Sequence, residues 1–510
     1  MRALAALLLA AAALAPTSAA GRTYHAKHVV IQRPPLIVGG PLHPLPRVPT
    51  KPEEDEGLEA PPETGAATID PGPETTVMPV PDGGFPVAGD PFAVPQVTDL
   101  GDLSARDDLA EPSQASAGKV VWYTGNSGAA FSLDGGETFK GVDPRRMFPE
   151  GSNAFCCDQV VLYAPQINRF VWLIQYWCER RDVRCDDVGS ENLQRLAVAT
   201  PQAIARNRRD PAAAWTQWVI TPRDVGMKHA WLDYPDLGLG RHSLYLTSNS
   251  FSGPDFAGNL VGRIGLHDLK AGGALGLDYI VDRGYSYKPA QNTGTTGFLA
   301  SNDDPDRLRT LSWPEGSRTL VSHATPHTVD ATLGYRTLAD GVNWGDRTDP
   351  RITGATRRGT ELWFAWSEGR SACTARCEGR HAQIERLWPQ PHVHVVTVDA
   401  GSFRLLGERF IHNSSYAIAY PTLATDGNGQ VGMTFSFGGG AAGNPSPAAG
   451  YLTGGEAFRQ IAESPAPGEQ GDFFSLHPAW PDTTQLTASG YVSDGAGGSR
   501  WLFYRFARSG

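Results

Sequence analysis

The chain has 510 residues, 40% of them hydrophobic and 19% charged, with a formal net charge of −10. That balance belongs to a folded, water-facing protein rather than to a disordered or membrane-embedded one. Without a Lys/Arg block in an acidic chain, binding to nucleic acid through counterion release is not expected.

Residues 1–20 read as a secretory signal peptide. Arg2 is followed by an Ala/Leu run, Ala3 to Leu14, and then by the small residues Thr17-Ser18-Ala19-Ala20. The run is too short to cross a bilayer, and no later segment reads as a membrane span. The expected location is therefore secreted or extracellular. Residues 21–118 are rich in Pro, Gly, Thr and acids, with few apolar runs, the longest around Val29-Val30-Ile31. Composition of this kind predicts a disordered linker.

From Lys119 onward, short β-branched and aromatic runs alternate with turn clusters, and no helical period is sustained. A strand–turn–strand unit recurs six times, with turns near 165–169, 240–242, 302–306, 357–359, 426–429 and 481–482. Similar hairpins at this spacing predict an all-β propeller over residues 119–510, and six hairpins predict six blades. Asp426-Gly427-Asn428-Gly429 reads as a hairpin turn, since it lacks the further carboxylates of a calcium loop.

Ser132-Leu133-Asp134-Gly135-Gly136-Glu137-Thr138-Phe139 fits the pattern S-x-D-x-G-x-T-[FW] at every fixed position. This segment resembles the Asp box, or BNR repeat, of the sialidase-like β-propeller superfamily. Degenerate copies are read at 337–344 and 453–458. Asp134 is expected to bond backbone N–H groups in a tight turn, as a structural residue. A sialidase of that superfamily carries an R-I-P motif ahead of its first Asp box. This chain has none, the nearest match being Arg351-Ile352-Thr353, so exo-sialidase activity is not expected.

Polar residues at the starts of inner strands would point into the central channel. By that logic the catalytic candidates are Asp158, Asp233, Tyr234, Arg351, Tyr420 and His477, with Gln159, Asp349 and Asp472 beside them. His229, Trp231 and Tyr416 are candidate ligand-binding residues, and Trp388 and Trp480 are further indoles for stacking on sugar rings. Asp, Tyr, His and Arg together suit acid/base attack on a glycosidic bond, or proton abstraction beside a uronate carboxylate. Tyr234 and Tyr420 each precede Pro, so they read equally as repeat packing residues. His392-Val393-His394 is taken as incidental, and neither a metal nor a cofactor is expected.

Six cysteines in a chain read as exported predict disulfides. A hairpin turning about Ile167 puts Cys156 opposite Cys178 or its neighbour, leaving Cys157 to reach Cys185. Cys373 and Cys377 then close a local loop. The rival is a vicinal Cys156–Cys157 bridge with Cys178–Cys185 as the second pair. The functional expectation is a secreted propeller that acts on extracellular glycans as a hydrolase or polysaccharide lyase. The alternative is a non-catalytic propeller that binds a glycan or a cell-surface protein.

Overall fold

The computed structural model describes residues 21–34, 72–85, 89–104, 110–148, 155–177, 191–304, 306–328, 334–369, 388–472, 474–495 and 498–509. The signal-peptide segment lies outside them, as do Cys178, Cys185, Cys373 and Cys377.

Seven sheets of four or five strands, antiparallel apart from one parallel edge pairing by Val77–Met78, follow one another around a central channel. Their innermost strands are Ser113–Ala117, Phe155–Ala164, Trp231–Leu239, Lys288–Pro289, Ile352–Arg358, Ala417–Thr425 and Leu476–Pro478. The propeller is thus seven-bladed, correcting the expected six. The blade missed is the first, which contains the Asp-box segment. A boundary drawn at Gly118 runs through the turn between its strands Ser113–Ala117 and Val120–Gly125.

Blade faces are packed on both sides, so their strands are nearly continuous apolar runs. Every residue from Phe170 to Tyr176 is buried. In the second blade Trp172 meets Trp215 at 5.2 Å, and Trp122 of the first blade at 5.1 Å. Blade-to-blade packing of this kind makes the ring one continuous body.

The stretch expected to be linker supplies strands, a second correction. Phe92–Asp99 pairs with Ser499–Arg508 as the outermost strand of the seventh blade. It precedes the first blade in sequence, so it fastens the ring closed. Thr23–His25, Lys27–Ile31 and Val77–Met78 extend the fourth, third and sixth blades at their outer edges. An edge strand meets its obligations through backbone hydrogen bonds and needs little apolar surface. Composition alone therefore reads it as linker.

In the first blade Ser132–Phe139 forms the expected turn between the third and fourth strands. The Asp134 carboxylate accepts from Glu137 N (3.1 Å), Thr138 N (3.0 Å) and the hydroxyls of Ser132 and Thr138. Gly135 and Gly136 sit at φ 92° and 94°, where a Cβ is disfavoured. Of the two weaker copies, 453–458 occupies the equivalent place in the sixth blade, whereas 337–344 forms a small hairpin outside the blades. Asp426 begins a hairpin turn, accepting from Asn428 N and Gln430 N.

Candidate functional site

All seven innermost strands run in the same direction, so their starts converge at one mouth of the channel. There each blade contributes a polar or aromatic side chain at or just before its inner strand. They are Glu111, Asp158, Asp233 with Tyr234, Tyr285, Asp349 with Arg351, Tyr420, and Asp472.

Bulges aim several of them. In the second blade Gln159 pairs with Ile174 and Phe155 with Tyr176, so Cys156, Cys157 and Asp158 together face the single residue Gln175. In the third blade Tyr234-Pro235 face Ser248 alone, and in the sixth Tyr420-Pro421 face Phe435 alone. Tyr234 and Tyr420 take the left-handed conformation, φ 50° and 56°, which is unfavourable for a bulky side chain. Pro at the next position cannot donate to the ladder, so the extra residue costs no hydrogen bond there.

The second-blade bulge also decides the cysteines. It removes the register that would set Cys156 across from Cys178. The sulfurs of Cys156 and Cys157 lie at disulfide distance from each other, the arrangement of the vicinal rival rather than of the expected pairing at these two residues.

Arg351 is the centre of the charge cluster. Its Nε donates to Asp349 Oδ1 at 2.6 Å, a second nitrogen bonds Asp349 Oδ2, and a third bonds Asp472 Oδ2 at 3.3 Å. Its guanidinium lies 4.5 Å from the Tyr234 ring centroid and 5.6 Å from that of Tyr285. The Glu111 carboxylate accepts from Asn126 Nδ2 (2.7 Å) and from the backbone N–H of Asp472 (3.2 Å). Burial, followed by the charge of Asp472, pushes Glu111 up to about 7. Asp158 is raised well above the usual carboxylate range, by burial first and then by Glu111, Asp233 and Asp472. The Tyr234 backbone N–H donates to Asp158. Asp233 accepts from Gln175 Nε2 at 3.2 Å and from Trp231 Nε1 at 3.5 Å. Trp231 in turn lies 4.4 Å from Trp177, and both indoles are half-buried.

Among the sequence candidates, Asp158, Asp233, Tyr234, Arg351 and Tyr420 are brought together here, with Asp349 and Asp472, and Trp231 stands at their edge. The others lie elsewhere. His477 sits deeper in the channel with Lys288 and Asp236. Lys288 pairs with Asp236 at 2.5 Å, and burial followed by Lys288 lowers His477 to about 4. His229 is exposed on a loop, where its backbone N–H donates to Glu191. Tyr416 spends its hydroxyl on Thr75 O (3.0 Å) and Val77 N (3.1 Å), holding the segment that leads into an edge strand. Gln159 braces the first two blades through Gly125 O, Gly128 O and Trp172 Nε1. Trp388 is buried against His392 at 4.1 Å, and Trp480 is 38% exposed.

Sequence reasoning missed Glu111, Tyr285 and Tyr491. Tyr491 accepts the backbone N–H of Gly471 next to the cluster. Glu111 fell in the supposed linker, and its only signal is its place just before a strand, which matches that of Asp472.

A second buried cluster lies between the fourth and fifth blades. His394 Nε2 is 3.1 Å from Glu408 Oε1, and its Nδ1 is 3.5 Å from Glu368 Oε1. These hydrogen bonds and charges outweigh burial and raise His394 to about 9. His327 lies beside it.

The fold and its central cluster define the class: a seven-bladed β-propeller with an acidic channel mouth. No family model matches the chain, and no curated protein does. Among solved structures it is similar to the GH93 α-L-arabinofuranosidase of Fusarium graminearum in complex with arabinobiose. That match has 11% identity and a TM-score of 0.39, covering 82% of this chain and 98% of that one. It is similar as well to an α-L-arabinanase of Penicillium chrysogenum, with 8% identity, a TM-score of 0.39, and 81% and 98% coverage. A third is Trypanosoma rangeli sialidase, with 10% identity, a TM-score of 0.35, and 68% and 54% coverage. Among the described residues no helix is long and apolar enough to cross a membrane.

Proposed function

We propose that this propeller is a glycan-acting enzyme that hydrolyses a glycosidic bond in an uncharged saccharide at the channel mouth, outside the cytoplasm. The carrying observation is the pairing of Asp158, a carboxyl pushed well above the usual carboxylate range by burial and then by Glu111, Asp233 and Asp472, with the half-buried Asp233 beside it. Glycoside hydrolysis needs one carboxyl to protonate the leaving oxygen and a second, ionised one to act as base or nucleophile. In this reading Asp158 is the acid and Asp233 the second carboxylate. Trp231 and Trp177 offer an indole surface for a sugar ring next to Asp233.

The charge balance selects among glycan chemistries. Arg351 is already held by Asp349 and Asp472, so it is not free to receive a substrate carboxylate. An anionic substrate would also meet Glu111, Asp233 and Asp472. This disfavours both sialic acids and the uronates of a lyase reaction.

The test is a screen of the full chain against neutral oligosaccharides and aryl glycosides. Hydrolysis that falls at least 100-fold in Asp158→Asn and in Asp233→Asn, with both variants folded, supports the reading. Saccharide binding without turnover would make the protein a glycan-binding propeller instead. Release of products only from uronic or sialic substrates would overturn the charge argument.

A further inference from the structure

We propose that the cluster between the fourth and fifth blades is a binding site for a zinc-class dication, held by His327, Asn302, His394 and Glu408, and that the ion clips the two blades together. Among the described residues His327, His394 and Glu408 form the only group of three or more His, Cys, Asp or Glu whose ligand atoms all lie within 4.8 Å of one another.

The geometry carries the proposal in three ways. First, the two blades contribute equally. Asn302 lies in Thr296–Asp304 and His327 directly follows Thr319–Pro326, both of the fourth blade. His394 and Glu408 lie on the adjacent strands His392–Asp399 and Leu405–Ile411 of the fifth.

Second, the side chains are positioned from behind. His327 Nδ1 is 2.9 Å from Thr328 O, which directs its Nε2 inward. His394 Nδ1 faces Glu368, whose carboxylate is held in turn by Trp366 Nε1. Both Glu408 oxygens are engaged by Thr328, one by its N–H at 2.7 Å and one by its hydroxyl at 2.8 Å. A carbonyl or carboxylate behind each imidazole is the usual support of a metal-binding histidine.

Third, the polar contacts do not balance when His327 is neutral, the form that its burial favours. In the neutral form an imidazole has one N–H and one lone pair. The His327 ring meets two acceptor oxygens, Thr328 O and Asn302 Oδ1, the latter 3.0 Å from Nε2. The Asn302 amide nitrogen is turned the other way, toward Pro350 O at 3.3 Å. With Nδ1–H donated to Thr328, a nitrogen lone pair faces an amide oxygen. A cation bound by both atoms turns that mismatch into two ligands.

Two imidazoles with two oxygens suit zinc or cobalt better than calcium or magnesium, which take oxygen ligands throughout. Bonds of about 2.0–2.1 Å put neighbouring tetrahedral ligands roughly 3.3 Å apart, close to the 3.0 and 3.1 Å edges present. A separation at the 4.8 Å limit must close by about 1.5 Å on binding. Four protein ligands leave no open position, as in a structural site. The competing occupant is a proton on His394, shared between Glu368 and Glu408 in a purely ionic cluster.

The experiment uses the full chain, stripped with a chelator and dialysed against Zn²⁺, or against Co²⁺ as an optical probe. Expected are about one Zn²⁺ per chain, a higher thermal midpoint with metal, and the intense visible bands of tetrahedral Co²⁺. Glu368→Gln, behind His394, should weaken Zn²⁺ binding about 10–100-fold. His327→Asn with Glu408→Gln should abolish it, and His267→Gln at an exposed position should leave it unchanged. Substoichiometric uptake by the folded wild type, a weak octahedral Co²⁺ spectrum, or uptake insensitive to Glu368→Gln would each overturn the proposal. The wild-type stoichiometry and spectrum decide the matter even if the double variant fails to fold. Neither readout depends on glycan hydrolysis.

Discussion

Tyr234 and Tyr420 occupy the same place in two different blades. Each is the extra residue of a bulge in an innermost strand, each has a positive φ near 50–56°, and each is followed by Pro. Two unfavourable backbone conformations are thus held at the channel mouth by the packing around them. Both rings are buried.

That relationship predicts an inverted substitution order at position 420. Tyr420→Ala should cost about 3–5 kcal/mol through loss of the buried ring. Glycine accepts φ 56° freely, so Tyr420→Gly should be no less stable than Tyr420→Ala, against the usual order in a strand. Tyr420→Phe should cost less than about 1.5 kcal/mol. Urea unfolding midpoints at constant slope measure all three. Alanine clearly more stable than glycine would show that the left-handed conformation is not retained.

Arg351 is expected to be the most sensitive charge in the molecule. Its side chain is 4% exposed and is the ion-pair partner of both Asp349 and Asp472. Arg351→Met removes the cation and leaves those carboxylates facing each other near Glu111. The expected loss is about 3–5 kcal/mol at pH 7. A variant as stable as wild type by thermal and urea unfolding would show that the carboxylates are well solvated instead.

Glu111 predicts a pH dependence of definite sign. Its carboxyl is raised from 4.5 to about 7 in the folded chain, so between those values the folded state binds a proton that the unfolded state has released. Its contribution to stability is therefore full below about pH 4.5 and is lost as pH rises to about 7, on the order of 3 kcal/mol at most. Glu111→Gln should flatten the slope of unfolding free energy against pH between 5 and 7.5. An unchanged slope would place the titration on another group.

Removal of the N-terminal strands is predicted to damage the ring. A chain that starts at residue 110 lacks Phe92–Asp99 and leaves the edge of Ser499–Arg508 unpaired. The expected outcome is a lower thermal midpoint and association through that edge, seen by light scattering. A monomeric truncated chain with an unchanged midpoint would show that ring closure rests on side-chain packing alone.

The sequence by itself pointed to the all-β propeller class, because a strand–turn–strand unit recurs along it at the spacing of propeller blades. It also determined the Asp134 turn, whose hydrogen bonds are all local. The candidates at the starts of inner strands were legible for the same reason, as strand order along the chain sets which ends face the channel. Only the tertiary structure decided the first blade, and with it the count of seven, and the roles of Thr23–His25, Lys27–Ile31, Val77–Met78 and Phe92–Asp99. Edge pairing is a backbone interaction between segments hundreds of residues apart, and it leaves almost no trace in side-chain pattern. The close approach of Cys156 and Cys157 escaped the register argument because a bulge put three residues opposite Gln175. Glu111 and Glu408 became visible for a related reason. A carboxylate looks like any surface acid in the sequence, and its charge state is set by what distant strands bury beside it.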